Sequence, residues 1–231
     1  MNRCCTMKPR RVILLGAGCL LLALLSGCAA SRSEISGRWT LPTEKNLTAD
    51  RVSVFFFFRH MSQQHGFDSI PKLQAQGVKD FDNLFRDALG EISNISPYTT
   101  FVESPFDVNA PKRRQEMEGF RASHDYTLEI TIFEESSFKQ QCLSGTISLI
   151  TLTLIPMPYS WDYTITAKLT DKSGKLLRTY ERKATLDNWV ELFLMFAYPY
   201  YPLEGKREEI YAESLHDIFR QVESEKILKK I

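Results

Sequence analysis

Val52-Ser53-Val54-Phe55-Phe56-Phe57-Phe58, bounded by Arg51 on one side and Arg59-His60 on the other, decides the architecture. A short uncharged run dominated by β-branched and aromatic residues suits a strand buried on both faces, in the middle of a sheet covered by helices. Just downstream, Phe81, Leu84, Phe85, Ala88, Leu89 and Ile92 recur at i, i+3, i+4, i+7, i+8 and i+11, the single apolar face of an amphipathic helix. Asp80 and Asp82 stand near its positive end, and Asn94 and Pro97 lie past its stop. Tyr98 to Glu103 reads as a second strand, Pro105 to Pro111 as a loop, and Lys112 to Ala122 as a short helix.

From Tyr126 the apolar period changes to two. Tyr126, Leu128, Ile130 and Ile132 alternate with Thr127, Glu129 and Thr131, and Trp161, Tyr163, Ile165, Ala167 and Leu169 do the same downstream. Both patterns predict half-buried strands. Asp171-Lys172-Ser173-Gly174 supplies turn chemistry, so Lys175 to Leu186 is expected to return as a hairpin partner. Ile210, Tyr211, Leu215, Ile218, Phe219 and Val222 mark a C-terminal amphipathic helix, with Lys226, Lys229 and Lys230 near its negative end. The order predicts an α+β fold: one domain, residues 51–231, with a mixed β-sheet and amphipathic helices. About 180 residues can bury about 70% of their unfolded surface, so stability requires neither a metal nor a disulfide.

The N-terminus is a different kind of sequence. Arg3, Lys8, Arg10 and Arg11 precede the apolar run Val12 to Leu25, the layout of an export signal whose hydrophobic region is too short to span a bilayer comfortably. The run ends in Leu25-Ser26-Gly27-Cys28. Here the chain resembles bacterial lipoprotein precursors, whose lipobox is a Leu, two small residues and an obligatory Cys. The resemblance implies a signal peptide over 1–27, a diacylglyceryl thioether at Cys28, and an amine freed by cleavage that can itself be acylated. More than one acyl chain gives stable anchoring where a single chain is marginal. Ala29 follows the cysteine. In Gram-negative lipoproteins a residue other than Asp there usually permits export to the outer membrane, which implies the periplasmic face of that membrane. Residues 28–50 then read as the lipidated Cys and a polar tether, reaching up to about 70 Å if extended. Trp39, Leu41 and Pro42 leave open that the second half of this segment lies on the domain.

Composition narrows the class of function. The full chain has 29 cations against 28 acids, which argues against a nucleic-acid partner. Four of those cations and no acid precede Cys28, so the processed chain would be mildly acidic. Lys112-Arg113-Arg114 is followed by Glu116 and Glu118 and reads as a solvated helix start. Of five cysteines, the resemblance implies that Cys4, Cys5 and Cys19 leave with the signal and that Cys28 is alkylated. Cys142 alone remains, excluding an internal disulfide; beside Leu143 it reads as a passive, buried thiol.

Two stretches break the pattern of a sheet with a solvated face. Leu143 to Pro158 has no charge and Trp189 to Pro202 has one. Each is too short and too interrupted by proline for a transmembrane helix. Two readings stand: a buried strand and a buried helix, or an exposed contact surface for a protein partner or lipid. On the second reading the contact residues are Trp161, Trp189, Phe193, Phe196, Tyr198, Tyr200 and Tyr201. The polar residues do not assemble a catalytic motif. His60 and His65 are at i and i+5 and read as solvated loop residues, while Glu134-Glu135 reads as a solvent-facing pair closing a strand. No nucleotide-binding loop or nucleophile elbow occurs in the mature chain, so no catalytic residue, metal ligand or cofactor is expected.

The strands at 52–58 and 98–103, the helix at 80–92, and His124-Asp125-Tyr126-Thr127-Leu128-Glu129-Ile130 are similar to periplasmic α/β domains of envelope lipoproteins. Those domains are of the curli-secretion lipoprotein, penicillin-binding-protein activator and Tol-system N-terminal types. The resemblance covers about half the chain and transfers no functional residue. The expectation is a non-catalytic envelope accessory or assembly protein, held at a membrane by its lipid and binding a protein partner. A carrier of lipid or another hydrophobic ligand, and a hydrolase with a dispersed site, are the alternatives.

Overall fold

The computed structural model describes residues 27–46, 48–75, 80–107, 110–191, 194, 200 and 202–230. Among these, one sheet contains β1 (Gly27–Arg32), β2 (Val52–His65), β3 (Lys72–Leu73), β4 (Ile95–Val102), β5 (Tyr126–Ser137), β6 (Met157–Asp171) and β7 (Leu176–Glu191). The order across it is β1-β7-β6-β5-β2-β3, with β4 also paired to β2. β2 runs parallel to β4 and β5, and the pairs β5/β6, β6/β7 and β1/β7 are antiparallel. The helices are α1 (Phe81–Leu89), α2 (Pro111–Ser123), α3 (Phe138–Ile150) and α4 (Leu203–Glu225). This is the single-domain α+β architecture that the sequence pattern predicts.

The four phenylalanines of β2 show why. Val54, Phe56 and Phe58 face a core shared with Phe81 and Phe85 of α1 and Leu215 and Phe219 of α4. Phe55 and Phe57 face the other way, against Phe101 of β4 and Met117 and Phe120 of α2. All four are buried, and each contributes about 1.5–3 kcal/mol through area removed from water. The edge-to-face ring pairs Phe56–Phe85 and Phe58–Phe81, both at 4.9 Å, add specific geometry.

The β6–β7 hairpin closes as its turn residues require. The Asp171 carboxylate accepts from the backbone N–H groups of Ser173 (2.9 Å) and Lys175 (3.0 Å), and Gly174 takes φ +82°. α4 then lies across the sheet and buries Ile210, Tyr211, Leu215, Ile218, Phe219 and Val222.

Several local expectations are corrected. The segment read as a tether is fixed to the domain along most of its length. β1 pairs with β7 from Gly27 to Arg32, Ile35 is buried, and Ser36 bridges to Lys183. The cause is polar as well as apolar: two acids of α4 accept backbone N–H groups from this segment. Asp217 receives Trp39 N at 3.0 Å and Glu223 receives Asn46 N at 2.7 Å. Leu143 to Pro158 is not a buried strand, because α3, a turn and the first two residues of β6 occupy it. Cys142 is exposed, since α3 turns neighbouring positions 141, 144 and 148 toward the sheet. His60 sits within β2 and is buried, and Glu134 turns inward toward it.

Candidate functional site: the apolar end of the sheet

Strand direction brings several chain segments to one end of the sheet. β2, β5 and β7 finish there, while β1 and β6 begin there. Cys28, Val190 and Met157 stand in one row across β1, β7 and β6. With strands about 4.8 Å apart, the backbones of Cys28 and Met157 are about 10 Å from each other.

What continues from this end is apolar and faces outward. α3 is capped at its start by Ser137, whose side chain accepts from Gln140 N. Its inner face is small and polar. Ser144 and Ser148 are 3% and 6% exposed, Ser144 Oγ donates to Pro158 O at 2.8 Å, and Gln64 Nε2 donates to Gln141 Oε1 at 2.8 Å. A Cβ at Gly145 would stand 3.3 Å from the Tyr159 hydroxyl oxygen, so this face approaches the sheet closely. Its outer face is large and apolar, with Leu149 76% and Ile150 75% exposed. The helix ends with Leu152 and Thr153 both at positive φ, 50° and 59°, a conformation that costs a β-branched residue free energy. That turn leaves Leu152, Leu154 and Ile155 exposed ahead of Pro156. Beside the helix start, the rings of Phe67 and Phe138 lie 5.8 Å apart, and both are exposed. The opposite end of the sheet carries the Asp171–Lys175 turn and the Lys229 backbone, which exchanges hydrogen bonds with the Tyr126 hydroxyl at 2.6 and 3.1 Å.

Of the sequence-predicted contact residues that the structure describes, Trp161 and Trp189 lie on opposite faces of the sheet. Trp161 pairs with Leu186 and packs partly on the α4-side core. Trp189 pairs with Pro158 three residues further on, so it points from the other face of the sheet and donates to Ser31 Oγ at 3.2 Å. It lines an open groove of about 510 Å³ with Ala29, Ala30, Ser31, Pro156, Glu191 and Leu194. Tyr200 is exposed, shortly before α4. Phe193, Phe196, Tyr198 and Tyr201 lie outside the described residues, as does the side chain of Cys28. Leu149, Ile150, Leu152, Leu154 and Ile155 fall in the uncharged stretch that the sequence marks as core or contact surface; the structure exposes them, and the helical inversion that does so has no mark in the sequence.

No family model and no curated protein matches this chain. Solved structures align with it over most of their length, among them two of one protein. The PelC dodecamer from Paraburkholderia phytofirmans aligns at 10% identity and TM-score 0.28, covering 82% of this chain and 96% of that one. A point variant of the same dodecamer aligns at 10% identity and TM-score 0.29, covering 83% and 97%. Superposition this loose decides neither fold nor function.

The polar groups between the sheet and α4 face one another, while Trp39 Nε1, Ser148 Oγ and Asn188 Oδ1 are buried without a partner. Between the sheet and α4, His60 Nε2 lies 3.8 Å from Glu134 Oε2 and 3.5 Å from the Tyr211 hydroxyl, and Arg207 Nε donates to the Tyr163 hydroxyl at 3.1 Å. Burial pushes the Glu134 carboxyl up, but the nearby His60 ring, the Arg207 charge and Tyr163 outweigh it and hold the group below its ordinary range. The Tyr163 and Tyr211 hydroxyls are pushed up by burial first and by neighbouring negative charge second. The groove beside Trp189 is not lined by this group, nor is the polar depression of about 630 Å³ lined by Arg38, Glu213, His216 and Arg220. Among the described residues a Ser–His contact, Ser123 Oγ to His124 Nδ1 at 3.0 Å, is a helix-end arrangement. His124 Nδ1 is also 2.7 Å from Phe120 O, so that nitrogen carries its proton and cannot act as a base toward Ser123. Among the described residues no cluster of three His, Cys, Asp or Glu side chains is placed to hold a metal.

Proposed function

We propose that this chain is a lipid-anchored, non-catalytic accessory or assembly protein of the bacterial envelope, fixed through Cys28 at the periplasmic face of the outer membrane. It works by docking with an envelope partner, not by chemistry or by carrying a ligand. The observation that carries this reading is the orientation of α3: its serines meet the sheet and its leucines and isoleucines face outward, offering an apolar surface to the envelope, lipid or protein, and not to an enclosed ligand. A carrier would turn such residues into an enclosed cavity, whereas the described apolar groove is open. A hydrolase would need an activated nucleophile in a cleft, and Ser123 with His124 does not provide one.

The test is processing of the N-terminus. Mass spectrometry of the protein purified from membranes is expected to find residue 28 as the first, bearing diacylglyceryl. Cys28→Ser is expected to leave an uncleaved precursor. A normally processed, lipid-free wild-type chain would remove the anchoring proposal. Photo-cross-linking from position 149 in intact membranes then identifies what the apolar end meets.

A further inference from the structure

Resting on the anchoring read above, we infer that α3 and the 151–156 turn seat in the interfacial layer of the same bilayer that holds the lipid, so that the domain lies down on the membrane instead of hanging from it. Three observations converge. The first is where the lipid-bearing residue arrives: Cys28 joins the fold at the start of β1, at the sheet end where α3 begins. Because Cys28 is already within β1, no slack separates an acyl chain on it from the domain. The second is chemistry: from Phe138 to Pro158 the only charge is Lys139, exposed in the first turn of the helix.

The third is hydrogen bonding. The three threonine hydroxyls on the outer side of α3 and its turn bond to backbone carbonyls instead of being left for water: Thr146 Oγ1 to Cys142 O and Thr151 Oγ1 to Ile147 O, each at 2.8 Å, and Thr153 Oγ1 to Leu152 O at 2.7 Å, whereas Ser148 Oγ, buried on the inner side, has no partner. Internal satisfaction of this kind is what a surface entering a poorly hydrated layer requires. A monotopic helix of this size buries its apolar side about 5–10 Å into the boundary between headgroups and acyl chains. The polar faces of the domain, including the depression beside Arg38 and Arg220, then remain turned to the periplasm for a protein partner.

Cys142 supplies the probe, since it is exposed on α3 and is the one thiol left when Cys28 carries lipid. The full lipidated protein, labelled there with bimane, is reconstituted into phosphatidylethanolamine–phosphatidylglycerol vesicles. The expected result is loss of iodide quenching together with gain of quenching by nitroxide-labelled acyl chains. A label at the far end, introduced as Lys172→Cys with Cys142→Ser, is expected to stay iodide-accessible. Leu149→Asp with Ile150→Asp is expected to restore iodide quenching at position 142 while the protein stays with the vesicles. A label at 142 as open to iodide as the one at 172 overturns the inference, and so does one shielded from both quenchers, which places protein over α3. Intact mass separates the two failures. A lipidated chain with a water-exposed label sinks only the bilayer contact, and a chain without lipid at Cys28 sinks both.

Discussion

α4 and α3 solve opposite problems with the same backbone. α4 buries Ile210, Leu215, Ile218 and Phe219 against the sheet and keeps most of its charge outside, the arrangement that hydrophobic periodicity predicts. α3 buries Ser144 and Ser148, and Leu143, Leu149 and Ile150 look outward. The difference lies in what each helix meets. α4 meets the apolar faces of β2 and β5 to β7. α3 meets the rim of the sheet, where the Pro158 carbonyl and the Gln64 amide need polar partners and where Gly145 allows close approach. Apolar content therefore measures what a helix could bury, and its neighbours decide which side is buried.

The comparison can be broken most directly by truncation. Phe219→Ala in α4 is expected to cost about 3–5 kcal/mol of unfolding free energy, read from urea denaturation. Leu149→Ser or Ile150→Ser in α3 is expected to stay within about 0.5 kcal/mol. Equal losses at the two helices would mean that α3 also contributes its apolar face to the core.

The same contrast explains how much was legible in sequence. Strand β2, the hairpin around Asp171–Gly174 and helix α4 were readable because each has one period and one environment. The 143–158 stretch was not, because a run without charge has no polar side by which to orient it, and Ser144 and Ser148 look like the exposed positions. The packed N-terminal segment was only half legible: Trp39 hinted at contact, but its docking depends on Asp217 and Glu223, about 180 residues away. His60 and Glu134 were read as solvated for the same reason, since their partners Arg207 and Tyr211 belong to α4.

A second measurement sharpens what holds α4 in place. Arg182 is 3% exposed, pairs with the Asp217 carboxylate and donates to Gln221 Oε1 at 2.7 Å. Removing one partner of a buried pair leaves a charge without compensation, so Arg182→Ala is expected to cost about 3 kcal/mol. Because Asp217 also holds Trp39 N, limited proteolysis should then cut within residues 33–46 first. The double replacement Arg182→Met with Asp217→Leu should cost less than Arg182→Ala alone. On α3 the corresponding probe is Ser144→Leu, which puts bulk where the helix lies close to β6 and is expected to cost about 1–3 kcal/mol. Thr146→Leu, two residues on and exposed, should be near neutral; a larger loss there than at 144 would reverse the assignment of faces.

The smallest effect expected is one of slope. The Glu134 carboxyl is held below its ordinary range while facing His60, Arg207, Tyr163 and Tyr211. A depressed folded-state value means that this carboxylate contributes stability above the unfolded Glu value of about 4.3, and that the contribution is lost as pH falls through the folded value. Glu134→Gln should therefore lower stability at neutral pH, where Arg207 loses its counter-charge. It should also flatten the fall in urea midpoint between about pH 5 and pH 3 relative to the parent. Glu135, paired with His65 at 2.8 Å on the exposed side of the same strand end, is the control. Glu135→Gln should leave the neutral-pH urea midpoint close to the parent's, because an exposed ion pair adds little to stability. Identical acid slopes for the parent and Glu134→Gln would show that the inward carboxylate is not coupled to folding.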